Sequence, residues 1–288
     1  MKGIILAGGT GSRLWPTTLA LSKQLLPVYD KPLIYYPIAT FMLAGIRDIL
    51  IITTKHDEAQ FIKLLGDGST LGINLKFETQ DKPEGLAQAF VIGEEFIGSD
   101  KVALILGDNI FHGPGLGTRL SDLTDLDGAH IFGYQVKDPS RYGVAQFDLD
   151  GHLISIEEKP KSPKSGYAVP GLYFFDNSVV EKSKSVLRSE RGEFEITSIL
   201  NAYLSEGKIQ LTLLPRGTAW MDCGTADSLN DASNYVRAIE ERQGLKLGVL
   251  EEIAFLNNWI SSAEIIATAN KYGECEYGTY LRNLLNRI

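Results

Sequence analysis

Residues 3–27 read GIILAGGTGSRLWPTTLALSKQLLP, and the way their apolar run breaks decides the fold. Ile4, Ile5, Leu6 and Ala7 follow one another without a polar residue, as a strand does when a parallel sheet buries both of its faces. The run stops in Gly8, Gly9, Thr10, Gly11, Ser12 and Arg13, and a lone lysine, Lys23, follows further on. Glycines straight after a buried strand let the backbone approach a ligand closely, so that successive N–H groups can point at anionic oxygens. Arg13 and Lys23 would supply the charge that a triphosphate needs neutralised. Glycines alone fit an ordinary strand-to-helix turn equally well; Arg13, Lys23 and the prolines at 16 and 27 move the reading towards a phosphate cradle.

Two familiar cradles do not fit. A Walker loop requires a lysine directly after its last glycine, and none stands there. A dinucleotide fingerprint requires Gly-x-Gly-x-x-Gly; Gly9 and Gly11 match, but Leu14 occupies the third glycine's place.

The string GGTGSRL, followed by SKQLLPVYDKPLIYYP, resembles the nucleotidyltransferases that join a sugar 1-phosphate to a nucleoside triphosphate, and within them the glucose-1-phosphate thymidylyltransferases. The likeness runs in order from Lys2 to about Arg242 and weakens over the last forty or so residues. It implies Mg²⁺-dependent transfer from dTTP to glucose 1-phosphate, the first step towards dTDP-rhamnose. It also implies a homotetramer with dTDP-rhamnose as feedback inhibitor at a subunit interface. For the nucleotide it implies contacts from Leu6, Ala7, Gly8, Gly9, Gly11, Ser12 and Arg13, with Gln24, Gln80, Gly85 and the segment from Leu86 to Gln88 near base or ribose.

Composition is compatible with that expectation. The 288 residues are 44% hydrophobic and 22% charged, enough for one large domain with an appendage. A formal charge of −8 disfavours nucleic acid or an anionic membrane as partner. Positive charge must then be concentrated locally, and Arg13, Lys23, Lys159 and Arg191 are the candidates. Met1-Lys2 leads straight into a strand, which does not read as a signal peptide, and no apolar stretch approaches the roughly 20 residues of a spanning helix. Cys223 and Cys275 are too few for a disulfide framework. A cytoplasmic protein is expected.

Along the chain, Gly3–Ala7, Ile46–Thr53, Leu75–Glu78, Val102–Leu106 and Ala129–Val136 read as strands, with helices over Pro37–Ala44, Asp57–Leu65 and Gly85–Phe96. This predicts a Rossmann-like α/β fold, a mostly parallel mixed sheet covered by helices on both faces. The second half adds a hairpin, Val144–Phe147 and Leu153–Ile156 around Asp150-Gly151, and strands Ala168–Phe175 and Ile209–Leu214. Helices are expected over Val179–Leu187, Glu195–Ser205 and Ser228–Gln243. The division expected is a core over 1–243, with a nucleotide-binding region over 1–136 and a sugar-binding region over 137–227, and a helical appendage over 244–288 serving assembly or regulation.

Two aspartates end apolar strands: Asp108 in ALILGDN and Asp222 in TAWMDCGT. Ligands of open α/β sheets bind beyond such carboxyl ends, and Mg²⁺ takes one or two protein carboxylates and completes its shell with phosphate and water. Either aspartate alone also suits a turn or a helix cap; the resemblance matches both to the metal pair. Glu157-Glu158-Lys159-Pro160, taken alone, reads as a solvated face. The family pattern RYG…EEKP instead implies Glu158 on sugar hydroxyls, Lys159 on the sugar phosphate and Gly143 against the ring. Val169 and Tyr173 would line the same pocket, and Arg191 would be a second phosphate contact. Cys223 and Pro170 stand where the family usually has threonine. The four histidines are scattered and pair with no serine, which speaks against acyl transfer. Rival readings are a UTP-using relative, a silent nucleotide-sugar sensor and a dehydrogenase; thymine and uracil differ by one methyl, worth about 1–3 kcal/mol in a pocket.

Overall fold

A computed structural model describes residues 1–286, so the end of the expected last helix, Arg287 and Ile288, lies outside the described residues. Fourteen strands form among them. The first seven are β1 (Lys2–Leu6), β2 (Pro27–Val28), β3 (Lys31–Pro32), β4 (Asp48–Thr53), β5 (Asn74–Thr79), β6 (Val102–Leu106) and β7 (Asn109–His112). The rest are β8 (Ala129–Gln135), β9 (Gly143–Phe147), β10 (Leu153–Glu158), β11 (Tyr167–Val169), β12 (Leu172–Phe175), β13 (Ile209–Leu213) and β14 (Ala219–Asp222).

Ten of them make one mixed sheet in the order β10-β9-β11-β8-β12-β6-β1-β4-β5, with β13 on β8. The block β6-β1-β4-β5 is parallel; β6, β1 and β4 are buried because helices pack on both faces, while the edge strand β5 is largely open. One core holds Ile5, Ile49, Ile51 and Phe41; the other holds Ile4, Leu50, Leu104 and Phe90. Alternate residues of β1 thus serve opposite cores, as the unbroken apolar run predicts. The antiparallel strands β9–β12 extend the sheet towards the predicted sugar side.

Several elements differ in detail. The expected helix over Gly85–Phe96 is two short ones, Gln88–Ile92 and Glu94–Ile97, parted at Gly93. Ala168–Phe175 is two strands, because Pro170 cannot donate to a ladder. The long helix runs over Ala226–Gln243, starting two residues before the expected Ser228; Thr225 caps it, and Ser228 completes a reciprocal capping box. The helix Leu116–Ser121 and the ribbon β7–β14 are not legible as elements in the sequence.

The tail folds into helices Leu250–Leu256, Ser262–Tyr272 and Glu276–Leu284, whose Leu250, Ile253, Ile265, Leu281 and Leu284 join the same core as Ile5 and Phe41. Among the described residues no helix is long and apolar enough to cross a membrane.

Candidate active site

The sheet's topology places β1 and β6 side by side and ends them together: the Gly107 N–H donates to the Leu6 carbonyl at 2.9 Å. Beyond β1 the chain makes no Rossmann helix. Instead it forms three single 3₁₀ turns, Ser12–Leu14, Thr17–Leu19 and Lys23–Leu25. Gly11 stands before the first at φ +59°, and the Thr18 hydroxyl donates to its carbonyl at 2.7 Å. The loop then returns Lys23 to the end of β6, where its ammonium meets Asp108 at 2.5 Å. Gln24, buried beside it, accepts from the Ser22 hydroxyl at 2.7 Å.

Asp222 arrives from more than a hundred residues away. β14 pairs antiparallel with β7 in a register that sets Asp222 opposite Asn109, and the Cys223 N–H donates to the Asp108 carbonyl at 2.9 Å. The two acids therefore share one end of one ribbon. Their electrostatics differ. Burial alone would raise the Asp108 carboxyl, but the Lys23 charge and hydrogen bonds from Lys23 and Asn109 outweigh it and hold Asp108 below the usual carboxylate range. For Asp222, burial and the nearby Asp108 charge win over Tyr142, Arg141 and Arg13, and its carboxyl is pushed up. Two half-buried carboxylates at one ribbon end, the charge on Asp108 working against that on Asp222, are a donor set a hard divalent cation would relieve, so Asp108 and Asp222 fit such an ion. The exposed trio Asp148, Asp150 and His152 can also gather oxygen and nitrogen ligands, but it sits in the β9–β10 turn, outside the cavity.

Both acids line a cavity of about 500 Å³. It brings together Leu6, Gly8, Arg13, Gln80 and Gly85 from the expected nucleotide set with Gly143, Glu158, Lys159, Val169 and Tyr173 from the expected sugar set. Arg13 lies at the rim, its guanidinium against Gly224: a β-carbon there would stand 3.1 Å from Arg13 Nη2. The Gln80 amide is buried and oriented, donating to Gln88 at 2.5 Å, and its Oε1 crowds Gly8 so closely that a side chain there would collide at 2.7 Å. Gly85, at φ +118°, presses on the Phe194 backbone, a place no side chain could occupy.

Elsewhere in the lining, burial raises the Glu158 carboxyl despite opposition from Lys159 and Arg191. Lys159 Nζ lies 3.6 Å from Glu158 and is exposed, with an unusual positive φ of 43°. Arg191 is not a lining residue; it is exposed and spread over Glu158, Glu193 and Glu195 at 3.2–3.4 Å. Ala7, Gly9, Gly11, Ser12, Lys23 and Gln24 likewise stand behind or beside the lining rather than on it.

Sequence reading missed a supporting chain of polar groups. The Tyr142 hydroxyl donates to Asp222 at 3.1 Å, and burial followed by the Asp222 charge pushes it up to about 12, so it remains a donor at neutral pH. The Tyr142 ring packs edge-on against Trp220 at 4.9 Å. Trp220 in turn donates to Asn109 Oδ1 at 2.6 Å, and Asn109 donates to Asp108 at 2.8 Å. Arg141 Nη2 stands 3.7 Å from Asp222. The adjacency of Arg141 and Tyr142 to Gly143 was the available signal. Cys223 is fully buried and its thiol is pushed up, which makes it inert packing.

The family model described as nucleotidyl transferase matches residues 2–238. Glucose-1-phosphate thymidylyltransferases from Mycobacterium tuberculosis and Mycolicibacterium smegmatis are 55% and 57% identical over 287 residues, each covering 100% of both chains. A Bacillus anthracis protein assigned to the same activity and solved with sucrose is 42% identical, with a TM-score of 0.76 over 82% of this chain and 95% of that one. A UDP-glucose pyrophosphorylase solved with UDP-glucose shares the fold at 23% identity, with a TM-score of 0.73 over 84% and 99%.

Proposed function

This chain belongs to the nucleotidyl transferase family, and on that premise we propose that it transfers the nucleoside monophosphate of dTTP to α-D-glucose 1-phosphate, giving dTDP-glucose and pyrophosphate. The observation that carries the reading is one cavity lined together by Arg13 and Gln80, by the acids Asp108 and Asp222, and by Glu158 and Lys159. The full-length likeness to glucose-1-phosphate thymidylyltransferases supports this substrate pair.

The sugar phosphate is already an anionic nucleophile, so the protein's work is alignment and charge screening. One of its oxygens attacks the α-phosphorus in line; that bond forms as the bond to the bridging oxygen of pyrophosphate breaks. Lys159 and Arg191 orient the attacking phosphate, and Glu158 accepts from sugar hydroxyls beside Gly143, Val169 and Tyr173. Lys23 and Arg13 lie on the nucleotide side, Arg13 placed to meet the charge that leaves with pyrophosphate. Gln80, its amide already fixed by Gln88, offers a donor and acceptor edge to a pyrimidine. Asp108 and Asp222 would hold Mg²⁺, which when bound neutralises phosphate charge.

The proposal includes the division into a nucleotide-binding region over 1–136, a sugar-binding region over 137–227 and a helical region beyond 243, with four-subunit assembly and inhibition by dTDP-rhamnose. A second cavity of about 420 Å³, lined by Tyr36, His112, Lys246 and Glu252 among others, supports a regulator's seat away from the reacting groups. Pyrophosphate release from a panel of triphosphates and sugar 1-phosphates tests the reading, with Mg²⁺ omitted as control. Release is expected to be fastest with dTTP and glucose 1-phosphate, with UTP slower by about 10–200-fold at most, since one methyl decides between them. Release with a purine triphosphate alone, or none with any pair, would reject it.

A further inference from the structure

Asp30 and Lys31 sit in the string KQLLPVYDKPLIYYP, and none of the chemistry above uses them. In the structure they enter a buried quartet. Lys31, whose side chain is 1% exposed, pairs with Asp30 and, at 3.0 Å, with Glu240. Lys246 pairs with Asp30 at 2.5 Å and with Glu240 at 3.3 Å. Two cations face two anions, and Glu240 also accepts the Leu247 N–H at 2.8 Å. Such a cluster breaks even at best against apolar packing, because four charges must leave water. Its value is connective: both cations bridge the same two anions and so tie the β2–β3 hairpin, the helix Ala226–Gln243 and the segment after it together.

Where the quartet stands gives that connection a use. Asp30 and Lys31 form the return of the β2–β3 hairpin, whose strands follow directly on Lys23 and Gln24. The hairpin closes onto those residues, as the Leu33 N–H donates to Leu26 and the Ile34 N–H donates to Gln24, each at 2.9 Å. On the other side, Glu240 belongs to the helix Ala226–Gln243, whose capped start lies three residues beyond Asp222. Tyr29 at the hairpin tip also donates its N–H to Ser233 of that helix at 3.2 Å. Val28, Leu33, Cys223, Ala232 and Val236 fill the space between hairpin and helix. Those apolar contacts are non-directional, whereas hydrogen-bonded charge pairs prefer a set geometry.

We propose that the Asp30–Lys31–Glu240–Lys246 quartet is a positioning device for the reaction. It locks the hairpin to the helix that starts beside Asp222, and so sets where Lys23 stands relative to Asp108 and the nucleotide phosphates. Lys31 and Glu240 are its positioning residues; neither lines the cavity. The inference rests on the nucleotidyl-transfer reading, in which Lys23 faces dTTP.

The test uses the full chain and the pyrophosphate-release assay with dTTP and glucose 1-phosphate. Removing Lys31 alone would strand an acid and could unfold the protein, so the variant is Lys31→Met with Glu240→Gln. It deletes one charge of each sign, keeps the Asp30–Lys246 pair and keeps an acceptor for Leu247. The expected result is near-normal melting, a kcat lowered by about a hundredfold, as a shift of an ångström can cost, a raised KM for dTTP and an unchanged KM for glucose 1-phosphate. Asp30→Asn, a milder change at a partly exposed member, is expected to give the same pattern at about a tenth of the size. A plain loss of folded enzyme would lower the apparent kcat and leave both KM values alone. Either that outcome or a folded double variant with wild-type kcat and dTTP KM overturns the inference. Failure of the wild-type protein itself to release pyrophosphate would count against the transfer reading instead.

Discussion

Replacing Arg13 by alanine is expected to lower kcat by about a thousandfold, the low end of what an arginine at a phosphoryl-transfer centre supplies. Melting should move by no more than about 2 °C, because exposed substitutions away from packing or caps usually cost little. The separation follows from the local structure. The turn that carries Arg13 is held by the Thr18 hydroxyl on the Gly11 carbonyl and by the burial of Leu14, and the guanidinium itself is exposed at the rim. Its charge reaches inward: Arg13 is among the groups that favour the ionised form of Asp222. A side chain that solvates charge at the cavity mouth while adding little to folding is what stabilisation of a departing pyrophosphate requires. Arg13→Lys should recover some of the loss, since a point charge replaces a fork that can grip two oxygens. Steady-state pyrophosphate release alongside a thermal melt reads both quantities, and an alanine variant with near wild-type turnover would remove Arg13 from the chemistry.

How much of this was legible depends on how local each signal is. The run Ile4–Ala7 announces a strand buried on two faces because burial on two faces erases polar alternation, and β1 lies within the parallel block as that pattern demands. Asp108 could be placed because it ends an apolar run, and ends of such strands face ligands. The partnership of Asp108 with Asp222 is another matter. It is made by β7 and β14, four residues each and separated by about a hundred residues of chain; neither has a period long enough to be read. The roles of Asn109 and Trp220 were invisible for the same reason, since their hydrogen bonds exist only once that ribbon forms, and Tyr142 was signalled only by its place beside Gly143. Thr225 escaped because the third residue of its capping box is Ser228 rather than the more telling glutamate. Gly93 interrupts a helix-length pattern because its backbone packs near Ile4 and Leu50, where a β-carbon would come within 2.9 Å; that neighbour belongs to the sheet and not to the helix. Local chemistry thus wrote the strands and the glycine turn after β1, and long-range pairing wrote the relation between the acids.

That relation leads to the second large effect. Asp108→Asn and Asp222→Asn are each expected to cost on the order of a thousandfold in kcat, as removal of a preorganised charge at a reacting centre does, yet they should move stability in opposite directions. In Asp108→Asn the Lys23 ammonium, only 12% exposed, loses the partner it meets at 2.5 Å; stranding a mostly buried charge should cost about 3 kcal/mol, the low end for breaking a buried pair. In Asp222→Asn a carboxylate that burial and Asp108 both disfavour is gone, so the protein, freed of metal with a chelator, should melt at or above the wild-type temperature. The pH dependence distinguishes the two further. Asp222 has a folded pKa above its unfolded value, so its charge costs stability at neutral pH and that cost disappears as pH falls to about 4. Asp108 has a folded pKa below its unfolded value, so its contribution is fully present above about 4 and is lost only as pH falls further, through the folded value. Melting curves of the three proteins between pH 7 and 4 should therefore show the Asp222→Asn gain shrinking to nothing while the Asp108→Asn deficit persists. Equal destabilisation by both substitutions would mean that the two acids are held by the fold in the same way, and that the asymmetry set by Lys23 has no energetic weight.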